Sequence, residues 1–251
     1  GIFLSSKEKY NVEEFGTDLE NLFGLRKDEN SRIIEGGGYG HSWCYQNTNR
    51  NIIRLFAALG SHLGKKTSQP LVIPAWIHLN MSFKKEFFDS LLGSEAGIPN
   101  LHISGTQLNT FDFAITGKNG LADNRIHFLK QIKEYLESIG VKTGPTFERK
   151  VNSVNGKKTT LYRFLISTEF QNLINYARSC KLNYCCYKRE KLTKSINTFK
   201  NFKHKRYDNL ILQGYGAETA MKKLNLTPSA LYEILNDTTF IVKEAPAGYA
   251  T

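Results

Sequence analysis

The chain has 251 residues, 40% of them hydrophobic and 12% aromatic, which is enough to bury one large core or two moderate ones. Its formal net charge of +11 indicates a polyanionic partner, either nucleic acid or an anionic membrane surface, with a merely soluble basic protein as the alternative. Because the sequence has no run of about 18 apolar residues, it excludes a membrane-spanning helix.

The four cysteines, Cys44, Cys180, Cys185 and Cys186, include no C-x-x-C pair. A zinc site at the last three is disfavoured, because no matching pair of His or Cys follows at zinc spacing. Reduced thiols are therefore expected. Together with an apolar start too short for a signal peptide, they predict an intracellular protein of the cytoplasm, nucleoid or an organellar matrix.

In chain order, the first half opens with "GIFLSS", which is interpreted as a short helix rich in small residues. Residues 11–24 predict a second helix, and "SRIIEGGGYGHSWCYQ" predicts two strands joined by glycines. The stretch "NTNRNIIRLFAALG" predicts a helix that ends at Gly60. A linker with two prolines follows, "GKKTSQPLVIPAWIHL".

The second half repeats this series. The stretch "FFDSLLGSEA" at 87–96 predicts a helix rich in small residues, and "NTFDFAITGK" predicts a strand that alternates its two faces. An amphipathic helix is predicted in "NRIHFLKQIKEYLESIG". Strands at 147–154 and 159–167, joined by Asn155-Gly156, predict a hairpin, and "TEFQNLINYARSC" predicts the closing helix.

These patterns predict an α+β fold of two pseudo-symmetric halves. Each half is expected to pack helices on one face of an antiparallel sheet and to leave the other face open for an elongated ligand. The expected domains are 1–80, the first half with its linker, 81–190, the second half, and 191–251, a basic linker with a helical extension.

Beyond residue 180 the sequence becomes strongly basic, and aromatic residues are interleaved with the lysines and arginines as far as residue 206. This pattern predicts phosphate contacts with aromatic anchors, and a solvated basic helix face is the alternative. The stretch "TAMKKLNLTPSALYEIL" then predicts either a helix-turn-helix or a plain helical hairpin. In both cases Asn225 lies in the turn and Thr227 opens the second helix.

The stretch "FFDSLLGSEAGIP" resembles the signature helix of the LAGLIDADG homing endonucleases. The order of elements over residues 1–190 is also similar to the single-chain form of that family, which has two copies. The resemblance implies αββαββα-type halves whose sheets form a DNA-binding saddle in a monomeric pseudo-dimer. It also implies site-specific hydrolysis of double-stranded DNA with Mg²⁺ or Mn²⁺, and an origin in an intron- or intein-associated mobile element. A complete intein is not expected, because the sequence does not show the terminal residues that protein splicing needs.

In this family two signature helices cross at the pseudo-twofold axis, and each ends in an acid that holds divalent metal at the scissile phosphates. The resemblance implies helix-interface positions in both copies: Gly1, Ser5, Ser90 and Ser94. The catalytic acid and metal ligand of the second copy is Glu95. In the first copy Ser6 stands at the acidic position, and a hydroxyl cannot replace a carboxylate as an anionic ligand.

Three interpretations of Ser6 stay open: a degenerate enzyme that only binds DNA, a misaligned start, or a substitute acid such as Glu8, Glu13 or Glu14. The family also places a basic or polar residue at the sheet end beside the metals. Its matching positions here are Gln46 or Asn47 and Ser167, none of which is a lysine.

Groove contacts are expected from the strands, and phosphate contacts from the basic segment. The groove candidates are Arg163 and either Arg149 or Lys150, since strand alternation puts only one of these neighbours on the DNA side. The phosphate candidates are Lys188, Arg189, Lys203, Lys205 and Arg206. Two further functions stay open, a DNA-binding regulator without cleavage and an intron maturase that binds structured RNA.

Overall fold

The computed structural model describes residues 1–24, 30–36, 41–102, 107–118, 120–152, 158–236 and 238–242. The first unit contains three strands and two helices. In chain order these are β1 (Ile2–Ser6), α1 (Lys9–Phe23), β2 (Ser31–Glu35), β3 (Trp43–Asn47) and α2 (Arg50–Ala58). Two short 3₁₀ turns, Lys66–Ser68 and Ala75–Leu79, then lead to the second unit.

The second unit begins with a helix and again has three strands. Its elements are α3 (Met81–Glu95), β4 (Phe111–Lys118), α4 (Ala122–Ser138), β5 (Thr143–Asn152), β6 (Lys158–Ile166) and α5 (Phe170–Ser179). Three further helices follow: α6 (Cys186–Leu212), α7 (Ala217–Leu224) and α8 (Pro228–Leu235). No helix in the described ranges is long and apolar enough to span a membrane.

The two units share one topology, which confirms the predicted α+β fold with a repeated antiparallel sheet. The strand order is β1-β3-β2 in the first sheet and β4-β6-β5 in the second, and all neighbours are antiparallel. Strand β1 therefore corresponds to β4. The predicted Asn155-Gly156 turn between β5 and β6 lies outside the described residues.

The helix predicted for the first residues is wrong, because "IFLSS" forms strand β1. Its alternation has period 2, with Ile2 and Leu4 partly buried and Phe3 and Ser5 exposed. So short a segment gains little as an isolated helix, whereas pairing with β3 satisfies its backbone groups. The first unit thus has no counterpart of α3 among the described residues 1–24.

The two units differ in core size. The first unit buries a small cluster of Val12, Leu19 and Tyr45 between α1 and its sheet. The second unit shares one large core with the C-terminal helices, since Leu192, Ile196 and the buried residues of α7 and α8 belong to it. Helix α6 runs unbroken through residue 190, so the basic segment after residue 185 is part of a 27-residue helix.

Helices α7 and α8 form the predicted helical pair. Asn225 adopts the left-handed conformation with φ of 51° and ends α7, and the Thr227 side chain accepts a hydrogen bond from the Ala230 backbone at 3.1 Å. The exposed residues of α8 include Tyr232 and Leu235, and the helix contains no lysine or arginine. Helix α8 thus offers no cation to a DNA phosphate, which favours the helical hairpin over a DNA-reading helix.

Candidate nucleic-acid interface and the end of helix α3

Each sheet has one face covered by helices and one face left open. Helix α4 packs on β4, β5 and β6, and α1 packs on β1 and β3. In the second sheet Phe113, Tyr162 and Phe164 point toward the helices and are buried. Their neighbours along the strands, such as Leu161 and Arg163, are partly exposed on the opposite face. The residues of this open face are therefore set by simple strand alternation.

The open face of the second sheet holds a positioned guanidinium. Arg163 on β6 donates from Nη1 to Oδ2 of Asp112 on β4 at 3.3 Å. The guanidinium also lies 4.8 Å from the centre of the Phe147 ring. A stacked, ion-paired arginine presents its donor fork in a defined direction, which suits reading of a base edge.

The pairing register separates the two alternative candidates on β5. Arg149 is opposite Leu161, and Phe147 is opposite Arg163, so these residues share the open face. Lys150 is opposite Thr160, which is buried on the helix-covered side. The side chain of Lys150 lies outside the described residues, but the register favours Arg149 as the groove contact.

Helix α3 ends where the chain joins this sheet. It begins at the N-cap Asn80, whose side chain accepts from the Ser82 backbone at 2.7 Å. After Glu95 the backbone is extended, Ala96 bridges to Phe113, and the Gly97 N–H donates to the Asp112 carbonyl at 2.7 Å. Glu95 is thereby fixed beside β4, which is the edge strand of the second sheet.

Glu95 lines a groove of about 720 Å³ between the two units. Both faces of strand β4 contribute to the same groove, with Ala114 and Thr116 from the open face and Phe113 from the helix-covered face. The Oε1 of Glu95 accepts a hydrogen bond from the Nζ of Lys66, which comes from the linker between the units. The predicted acid is therefore ion-paired.

A second lysine closes the end of α3 from the other side. The Nζ of Lys188 donates to the carbonyls of Gly93 and Ala96, each at 2.6 Å, and of Ser94 at 3.3 Å. Burial lowers the pKa of the Lys188 ammonium, and the charge of Glu95 opposes that shift. A cation here satisfies terminal carbonyls and complements the helix dipole, which favours a stabilising role at the end of α3 over the predicted phosphate contact.

The small residues of α3 allow close backbone contact, but with a different partner from the one the resemblance implies. A Cβ added to Gly93 would lie 2.5 Å from the backbone carbonyl oxygen of Asn183, in the segment before α6. Ser94 is exposed and bonds within its own helix, to the Leu91 carbonyl at 3.0 Å, and Ser90 is partly exposed. A helix interface at Ser90 and Ser94 stays a prediction.

The predicted roles of Gly1, Ser5 and Ser6 at a first signature helix are wrong, because these residues precede or form strand β1. Ser5 is exposed and pairs with Cys44, and Ser6 pairs with Trp43. The Oγ of Ser6 accepts a hydrogen bond from the Asn11 side chain at 2.8 Å. Ser6 therefore does not stand at the end of a signature helix, which favours a misaligned start among the three interpretations.

The basic residues of α6 divide into two groups. Arg189 is buried and donates to the Leu182 carbonyl at 3.2 Å, and Lys203 donates to the Leu224 carbonyl at the end of α7 at 2.9 Å. Like Lys188, these two contribute to packing and helix capping, which disfavours phosphate contacts from them. Lys205 and Arg206 are exposed and stay candidates for phosphate.

The residues around Glu95 do not make up a metal site. Within the described ranges no three His, Cys, Asp or Glu side chains are close enough to hold a metal ion. Glu95 contributes one carboxylate, already paired with Lys66, and Lys188 adds a second positive charge nearby. A divalent cation prefers several anionic oxygens, so this end of α3, with two cations and one anion, does not suit it.

Three members of this site have no clear signal in the sequence. Lys66 lies in the linker, Asp112 is the second residue of β4, and the buried Arg125 lies in the first turn of α4. Of these, Arg125 is the least expected from sequence, because an arginine is seldom fully buried unless its guanidinium is paired.

Searches against family models and curated proteins find no match. Among solved structures the chain is similar to I-DmoI in complex with DNA and Ca, at 11% identity and a TM-score of 0.41 over 72% of this chain and 74% of that one. It is also similar to mesophilic variants of the homing endonuclease I-DmoI, at 13% identity and a TM-score of 0.42 over 72% and 74% of the two chains. At this level of similarity neither likeness decides what the chain does.

Proposed function

We propose that this chain binds duplex DNA on the open faces of its two sheets and cuts it at a specific site, in the manner of the LAGLIDADG homing endonucleases that α3 resembles. The observation that carries the proposal is the repeated sheet with one uncovered face, which offers Arg149 and Arg163 in a chain of net charge +11. An elongated polyanion is the ligand that such a pair of surfaces suits.

The open face has the chemistry for direct readout of bases. The major groove admits β-strands, and guanidinium groups pair with guanine while apolar groups contact the thymine methyl. Arg163 is held by Asp112 and lies next to Leu161 and Leu165 on the same face. We therefore assign Arg163 and Arg149 to base contacts and Lys205 and Arg206 to phosphate contacts.

Glu95 is the residue on which cleavage would depend. It lies at the end of α3 beside the edge strand β4, and the resemblance implies an acid next to the scissile phosphate at this helix end. The side chains around it do not fit a divalent metal, which distinguishes this site from the paired carboxylates that the resemblance implies.

A second candidate function is DNA binding without cleavage. The ion pair of Glu95 with Lys66 favours it, as does the lack of a metal-binding cluster in the described ranges. Either function uses the same open faces, and the two differ only in what happens at Glu95.

A cleavage assay on a plasmid library with magnesium or manganese tests both candidates, using the wild-type chain, Glu95→Gln and the exposed control Glu134→Gln. Gel-shift binding with structured RNA as competitor runs in parallel. Cuts by wild type and control but not by Glu95→Gln support the endonuclease, and salt-dependent duplex binding without cuts supports the second candidate. Failure to bind duplex DNA, or preference for the RNA, refutes the proposal.

A further inference from the structure

We propose that Lys66 is a phosphate-binding residue that covers Glu95 until duplex DNA displaces it. The linker segment 65–71, here called the latch, would then be a contact surface for the DNA backbone at the end of α3. This inference rests on the proposed function, because it names the group on the DNA that this site engages first.

The ion pair between Lys66 and Glu95 is accessible and exchangeable. The Lys66 side chain is 66% exposed and that of Glu95 is 33% exposed. Exposed pairs contribute little to stability, because water and salt compete with them. A backbone phosphate that approaches the open face can therefore take over the Lys66 ammonium at small cost.

The latch backbone, in contrast, is held firmly by α4. The Nη2 of Arg125 donates to the carbonyls of Lys66 at 2.7 Å and Gln69 at 2.9 Å. The side chain of Asn124 bonds both backbone groups of Leu71, at 2.8 Å to the N–H and 2.9 Å to the carbonyl. The flexible side chain of Lys66 can therefore move while its backbone stays in place.

This attachment is a built feature of the fold. Arg125 is fully buried and its other donors reach the Asn124 side chain at 2.7 Å and the Thr116 carbonyl at 3.4 Å. A Cβ at Gly117 would lie 3.0 Å from its Nε, so a glycine makes room for it. Burying a guanidinium costs free energy of desolvation. Here the buried guanidinium fixes the backbone of residues 66–69 through hydrogen bonds to its carbonyl oxygens.

The charge balance at the end of α3 selects an anion. Lys66 and Lys188 outnumber Glu95, and Lys188 is held by three carbonyls. Lys66 is thus the cation that can change partner. When the ammonium moves from the Glu95 carboxylate to a phosphate oxygen, no bond is made or broken covalently, and the carboxylate is uncovered beside the DNA.

Fluorescence anisotropy with a labelled duplex of mixed sequence, without divalent metal, tests the latch. Lys66→Met should lower the slope of log affinity against log salt by about one. Glu95→Gln should tighten binding, because Lys66 no longer has to leave a partner. This gain should be larger in the wild-type background than in Lys66→Met.

The exposed neighbour provides the control, since Lys65→Met should leave the gain from Glu95→Gln unchanged. Circular dichroism melts check that all variants fold. If the gain is equal in the two backgrounds, or larger in Lys66→Met, the pair stays intact on DNA and the latch proposal is wrong. The latch is also wrong if neither variant alters duplex binding. If the wild-type chain shows no salt-dependent duplex binding at all, the proposed function itself fails, which is a separate result.

Discussion

Replacing Lys188 with methionine removes the cation at the end of α3 while nearly keeping its length. The structure predicts a loss of stability and no loss of DNA contacts. The ammonium makes two hydrogen bonds of 2.6 Å and one of 3.3 Å to carbonyls that the helix itself leaves unpaired. The variant leaves these carbonyls without their charged donor.

The expected destabilisation follows from these contacts. Losing a charged donor to these partly buried carbonyls costs about 1.5–3 kcal/mol, and losing a cation at a helix C-terminus costs about 0.3–1 kcal/mol more. The methionine recovers part of this because its apolar chain is easier to bury, so about 2 kcal/mol is expected in total. For a chain of this size that corresponds to a fall in Tm of about 4–8 °C.

Urea unfolding of Lys188→Met measures this loss, with duplex affinity recorded across a salt series on the same samples. Lys191→Met is the matched control, since its Nζ donates to the Tyr187 hydroxyl at 3.1 Å on the exposed side of α6. The control should stay within about 0.5 kcal/mol of wild type. The capping role is refuted if Lys188→Met is as stable as the control and instead lowers the salt slope.

Two further predictions concern the packing of α3 and the latch. Gly93→Ala should lower the free energy of unfolding in urea by about 1–3 kcal/mol, because the added methyl meets the Asn183 carbonyl. The control Gly216→Ala should change stability far less, since a Cβ at Gly216 has nothing within 4 Å. Equal effects of the two substitutions would contradict the close contact at Gly93. His62 should titrate below 6.5 by NMR, because partial desolvation and the positive charges of Arg125 and Lys66 lower its pKa, and that pKa should rise in Lys66→Met. An unchanged pKa would place Lys66 away from the groove.

Periodicity predicted the repeated part of the fold. The helical patterns of α1 and α4 and the alternation in β4 and β6 are long enough to identify one face each, and both sheets follow from them. The helix predicted for the first six residues was wrong because a short apolar run fits a helix or a strand equally well. Pairing with β3, about 40 residues later, decides between them.

The site was harder to predict because its contacts are distant in sequence. The spacing within α3 identified Glu95, but Lys66 precedes it by 29 positions and Lys188 lies 94 positions from Ser94. Neither lysine differs locally from its exposed neighbours. The sequence of the basic segment in α6 therefore does not show which of its cations are buried, although the fold buries Arg189 and leaves Lys205 exposed.

Photocrosslinking from two adjacent residues of β5 tests most directly whether DNA lies on the open face. Arg149 and Glu148 are both exposed but lie on opposite faces, since they pair with Leu161 and with the buried Tyr162. The photoreactive residue p-benzoylphenylalanine is placed at one position or the other, and each protein is irradiated with labelled duplex. The account predicts crosslinks from position 149 and few from position 148. Equal crosslinking, or crosslinking from 148 alone, would contradict it.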